Sequence, residues 1–130
     1  MKRVNAIITH PVYREYYDRL EALEQERPFC RHQMTHLLDV ARIAYIRSLE
    51  NALDLDKEVI YATALLHDIG KSLQYEKKIP HEISGVEIAE RILSSLPAEL
   101  SFSAEEMQMI LTAIRGHRRL RSDAEPLEKL

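Results

Sequence analysis

The segment TALLHDIGKSLQY, residues 63 to 75, carries an apolar run into adjacent His67 and Asp68 and ends at Gly70 and Lys71. A carboxylate at the buried C-terminal end of a helix faces the negative end of the dipole and is repelled there. A bound cation reverses that cost, and imidazole and carboxylate are both metal ligands. Set about 100° apart around the axis, His67 and Asp68 can approach an ion from two sides, and the two Asp68 oxygens can bridge a pair of ions. Lys71, just past the turn, is then expected to be free to meet an anion.

Three further histidines share this placement. His36 lies four residues before Val40 and seven before Ile43, and His117 lies three after Ile114 and seven after Ile110. Each extends an apolar helical row, as His67 extends the row of Ile60, Thr63 and Ala64, so each is expected to point inward. His81 opens another helix, with Gly85 one turn along its face removing bulk. One inward histidine is ordinarily a hydrogen-bonded core residue, whereas several converging on one volume are more easily satisfied by a cation than by each other. The stretch RGHRRLR concentrates Arg115, Arg118, Arg119 and Arg121, which suits either anion binding or a solvated turn.

The elements that must position these residues read as helices throughout. The first spans Tyr13 to Glu26, entered through Thr9 as cap and Pro11, and stopped by Pro28. The second runs from about Arg31 to Asn51, with Leu37, Ala41, Ala44, Tyr45 and Ile46 spaced for a buried stripe. Asp54 or Asp56 caps the third, about Lys57 to Asp68, which Gly70 is expected to end in the left-handed conformation. The fourth, from Pro80 or His81 to Leu96, stops at Pro97. Ser103 and Glu106 form a capping box for a fifth through Met107, Ile110, Leu111 and Ile114, and Ser122 or Asp123 starts a sixth near the last residues. No segment alternates with period two, so the fold class is all-α with short connections.

Composition bounds the rest. A chain of 130 residues, 45% hydrophobic and 30% charged, is one domain with room for a core. No apolar run reaches the roughly 20 residues that cross a bilayer, and the N-terminal stretch lacks a signal-peptide core, so the expected compartment is the cytoplasm. The single cysteine, Cys30, excludes an internal disulfide and a thiolate-rich zinc site, whereas six histidines supply an alternative ligand set. A net charge of −3 argues against general nucleic-acid affinity.

These motifs together resemble the HD-domain superfamily of metal-dependent phosphohydrolases, named for a His-Asp doublet. The likeness runs from MTHLLDVARIA to AIRGHRR. HLLDVARIA resembles the first motif and selects His36 rather than His32, and LLHDIGK is the central signature in its HDIG form. HEISGVEIAERIL and AIRGH resemble the further histidine motifs of members that hold two metals. The resemblance implies a compact bundle of about five to six helices, with His36, His67 and Asp68 on a first ion, Asp68 bridging, and His81 and His117 on a second. It implies one or two divalent transition ions, and histidine-rich ligation favours Fe, Mn, Ni, Co or Zn over Mg or Ca. The implied activity is hydrolysis of a phosphate ester or anhydride of a nucleotide or similar small phosphorylated metabolite by an activated water. Asp68 would orient that water, Lys71 would contact the phosphate, and Arg115 or Arg118 would neutralise its charge.

One departure bears on the first ion. The family usually closes that site with an aspartate on a later helix, and the only aspartate after His117 is Asp123, which suits a helix cap better. The chain is therefore expected to be truncated at its C-terminus, with the closing ligand beyond Leu130. A helix left unfinished there would expose an apolar patch that a second copy can cover, making a homodimer. Two other readings use the same residues: a non-catalytic helical domain that senses or scaffolds, and an oxygenase with a mixed-valence iron pair. The spacing of His32 and His36 in HQMTH matches a zinc protease motif, but Gln33 stands where the general-base Glu would.

Overall fold

A computed structural model describes residues 1–24, 33–71, 77–78 and 80–116, with side chains except at 24, 33, 81 and 82. The described chain forms six helices and one 3₁₀ turn, in the order α1 (Lys2–Ile8), α2 (Pro11–Glu24), α3 (Gln33–Glu50), α4 (Lys57–Leu66), α5 (His81–Ser94), the turn Ala98–Leu100, and α6 (Ala104–Gly116). No strand occurs among the described residues. The all-α bundle expected from the sequence is what forms. No helix among them is long and apolar enough to cross a membrane.

The arrangement follows from α4. Its sequence, KEVIYATALL, carries apolar residues on every side, and Val59, Ile60, Tyr61, Ala62, Ala64, Leu65 and Leu66 are all buried. A helix of that kind must be wrapped. α3, α6 and α1 pack on it, α5 pairs with α6, and α2 packs on α5. Asp56 rather than Asp54 is the N-cap, its carboxylate accepting from the Glu58 and Val59 amides at 2.8 and 3.4 Å. α3 turns Leu37, Ala41, Ala44 and Ser48 inward. Ile46, expected in that stripe, is instead exposed, because the 3.6-residue period carries it past the edge of the face that Leu37 and Ala41 define. The expected capping box of α6 is present: the Glu106 amide donates to Ser103 Oγ at 3.1 Å and the Ser103 amide to Glu106 Oε1 at 2.9 Å.

α1 has no counterpart in the sequence reading. Its seven residues are too few to hold a helix alone, and two kinds of contact fix it. Val4 and Ile7 are buried in the core. Arg3 donates from Nε to Glu58 Oε1 at 2.9 Å and from Nη1 to Glu106 Oε1 at 2.9 Å, and lies 4.2 Å over the Phe102 ring. One guanidinium thus ties α1 to the first turns of α4 and α6. Burial alone would raise the Glu58 carboxyl, but Arg3 outweighs it, and Arg3 likewise holds the Glu106 carboxyl below its ordinary value.

The entry to α2 also differs from expectation. The Thr9 hydroxyl donates back to the Asn5 carbonyl at 2.9 Å and closes α1. The cap is His10, whose Nδ1 accepts the Val12 amide at 3.0 Å while Nε2 meets Ser95 Oγ at 2.7 Å. An accepting Nδ1 requires the neutral ring, and burial, with Arg91 nearby, lowers the His10 pKa. Below its ordinary value the unfolded state binds a proton that the folded state resists, so this stabilisation is complete above about pH 6.5 and is lost as pH falls toward the lowered value. His10→Asn keeps a capping side chain and cannot titrate. Urea unfolding between pH 7 and 5 is expected to show a smaller loss of stability for His10→Asn than for the wild type; equal slopes would remove His10 from the account.

Candidate metal centre

The C-terminal end of a buried helix leaves its last carbonyls without intrahelical donors, and each needs a partner. α4 ends at Leu66 with His67 as C-cap in the right-handed region. Around it the Ala64 carbonyl accepts from His67 Nδ1 at 2.5 Å, and the Leu65 carbonyl from the Tyr13 hydroxyl at 3.3 Å. The Leu66 carbonyl accepts the Ile69 amide at 3.2 Å, and the Asp68 carbonyl the Lys71 amide at 3.0 Å. The buried Ser84 hydroxyl on α5 donates to the Gly70 carbonyl at 3.1 Å. The expected left-handed Gly70 does not occur, since no described glycine has a positive φ. Tight three-residue bonds replace that ending and keep His67, Asp68 and Lys71 on one short turn.

These bonds orient the chemistry. With Nδ1–H given to Ala64, the His67 ring presents Nε2, which lies 3.2 Å from Asp68 Oδ2. Asp68 is 9% exposed, and the same oxygen lies 3.4 Å from Lys71 Nζ. Burial opposes a charge on His67, but the hydrogen bond and the charge of Asp68 outweigh it and raise the His67 pKa. Lys71 is therefore ion-paired to Asp68, because the buried carboxylate attracts the nearest cation on its own turn.

The pair fits a metal. A ligand histidine ordinarily gives its other N–H to a carbonyl or carboxylate, which Ala64 supplies here. Nitrogen and oxygen ligands each about 2.1 Å from one ion stand about 3.0 to 3.4 Å apart at octahedral or tetrahedral angles, and the observed separation of 3.2 Å lies in that range. The set is not complete within the structure: among the described residues no group of three His, Cys, Asp or Glu side chains stands close enough to hold an ion.

The remaining expected site residues fall as follows. His36 is on α3 but exposed, a correction to its inward placement. Ile43, seven residues on and also exposed, shows that this row runs along the outer edge of α3. His81 is the first residue of α5, and its side chain lies outside the described residues, as do His117, Arg118, Asp123 and the short helix expected to start at Ser122 or Asp123. Arg115, exposed in the last turn of α6, lines a groove of about 430 Å³ between α5 and α6 with Val86, Glu90, Met107 and Leu111. It makes no ion pair with another described residue.

Three positions the sequence reading missed or undervalued hold the turn: Tyr13, Ser84 and Gly85. A Cβ at Gly85 would lie 3.3 Å from Ile114 Cγ2 and 3.9 Å from both the Gly70 nitrogen and the His67 carbonyl oxygen. An added side chain there would press on Ile114, with the backbone of the turn just behind it. Ser84→Ala is expected to cost about 1 to 2 kcal/mol and Gly85→Leu about 1 to 3 kcal/mol, read by denaturant unfolding. Wild-type stability in either variant would mean that α5 does not hold the turn.

Comparison with known proteins shows the family of the chain. The family described as HD domain matches residues 34–130. An uncharacterised protein of Clostridium beijerinckii is 46% identical over 123 residues, 95% of this chain and 76% of that one. Ribonuclease Y of Mesoplasma florum is 29% identical over 112 residues, and ribonuclease Y of Clostridium tetani is 30% identical over 108. They cover 81% and 83% of this chain, which spans only 22% and 18% of theirs. No solved structure matches the chain.

Proposed function

Since the chain belongs to the HD domain family, a superfamily of metal-dependent phosphohydrolases, we propose that it hydrolyses a phosphate ester or anhydride of a nucleotide or similar small phosphorylated metabolite. The observation that carries this reading is the His67 and Asp68 pair, with one imidazole nitrogen committed to Ala64 and the other set beside a buried carboxylate oxygen. His67 and Asp68 would hold a divalent transition ion, Fe, Mn, Ni, Co or Zn, and His81 and His117 a second; His36, exposed on α3 and apart from the pair, would have to approach to serve as a further ligand of the first. When bound, such an ion lowers the pKa of water and polarises a phosphoryl oxygen.

The protein's own groups do the rest. Ala64 fixes the His67 tautomer. Asp68 orients the attacking water through a carboxylate oxygen, and burial keeps competing solvent from that oxygen. Lys71, now paired with Asp68, would contact the substrate phosphate, and Arg115 and Arg118 would balance the remaining charge. A cytoplasmic location suits such a substrate.

The matches to ribonuclease Y favour a second reading, a phosphodiester of RNA, carried by those proteins' name. The net charge of −3 weighs against a long polynucleotide track and toward small or short substrates. The test is a screen of nucleotides, phosphate esters and short RNA with Mn²⁺, Ni²⁺ or Fe²⁺, alongside elemental analysis. Asp68→Ala is expected to lower turnover at least about a hundredfold, and Lys71→Ala to lower kcat/KM by about ten- to a hundredfold. Undiminished activity in Asp68→Ala, or no transition metal held in stoichiometric amount, would defeat the proposal.

A further inference from the structure

Seven large hydrophobic side chains are exposed among the described residues, and three of them, Ile43, Ile46 and Leu49, lie on α3 at 53%, 52% and 61% exposure. The opposite side of α3 is already buried through Leu37, Ala41, Ala44 and Ser48. At 3.6 residues per turn the three span about 120° of the outer face. Exposed Asp39, Arg42 and Glu50 accompany them on that face. A helix with two apolar faces has two partners to satisfy.

We propose that this outer face docks a second copy of the chain, α3 running antiparallel to its mate across a two-fold axis at Ile46. Charge selects the arrangement. Under that axis, positions equidistant from 46 face each other. Ile46 then meets Ile46 of the second copy, Ile43 meets Leu49, and Arg42 meets Glu50. An axis midway between Ile43 and Ile46 would set Arg42 against Arg47 and Asp39 against Glu50. Parallel helices in register would set every charge against itself. Like charges so placed oppose association, and of these three arrangements only the first pairs opposite ones. Its contact is isologous, as a two-fold requires. Arg42 already pairs with Asp39 on its own helix, and its guanidinium keeps donors for Glu50. One helix per copy gives an interface at the small end of the specific range, so the dimer is weak, with a dissociation constant of about 1 μM or above.

The inference is independent of the catalytic reading. Sedimentation equilibrium of the whole chain across about 1 to 200 μM is expected to show a reversible dimer. Ile46→Glu, which sets two carboxylates at the axis, is expected to weaken it at least tenfold with the melting temperature of the dilute protein unchanged. Arg42→Glu weakens it as well, and adding Glu50→Arg restores it to within about threefold. A monomer at all concentrations overturns the proposal, as does a dimer indifferent to Ile46→Glu or one that the charge swap fails to rescue. So does a lowered melting temperature of a monomeric Ile46→Glu protein, which would mean that the chain's own residues cover the face.

Discussion

A helix that is apolar on every side cannot end in the open. α4 is enclosed by its neighbours, and its carbonyl end emerges inside the protein, where each unpartnered acceptor would cost about 1 to 3 kcal/mol. The Tyr13 hydroxyl and the ring of His67 meet that demand, and Ser84 does the same for the Gly70 carbonyl of the turn that follows. The candidate centre is built from the same bonds. A histidine that satisfies Ala64 has its second nitrogen aimed, and a carboxylate beside it has its surroundings fixed. Structural need and ligand orientation are one set of contacts here.

Charge divides between two ends of the same helix. At the N-terminal end, Asp56 and Glu58 face the positive pole of α4, and Arg3 gathers Glu58 with Glu106 from α6. Attraction there is favourable in the bare protein. At the C-terminal end Asp68 opposes the dipole, and one of its oxygens is met by the Lys71 ammonium and the His67 ring. A site that needs borrowed cations is suited to receive one from solution.

Much of this was legible in the sequence for a physical reason. Strong local signals survive folding, such as the all-round apolarity of α4, the Ser103 and Glu106 box, and the His67 and Asp68 doublet at the end of an apolar run. Residues whose roles depend on distant neighbours were not. Arg3 looks like an ordinary basic terminus until Glu58 and Glu106 are brought to it. Tyr13 stands only as the start of a helix in the sequence, and its hydroxyl partner is 52 residues away. Periodicity places His36 and Ile46 on a buried face, because it gives an angle around the helix but not how much of the circumference a neighbour covers. Gly70 has the look of a left-handed stop, yet the turn closes without one.

The crossing at Gly85 separates what can vary from what cannot. Where two helices meet through side chains, repacking can absorb a change, and the angle between them drifts as residues are exchanged. Here the absence of a side chain at Gly85 leaves room for the edge of Ile114, and the backbone of the turn lies at van der Waals distance behind it. The groove that opens one residue further along, walled by Val86, Met107 and Leu111, has no such restriction. Its shape can be rewritten while the pivot beside it stays put, so relatives built on this crossing can diverge in what they accommodate without disturbing the geometry of the turn.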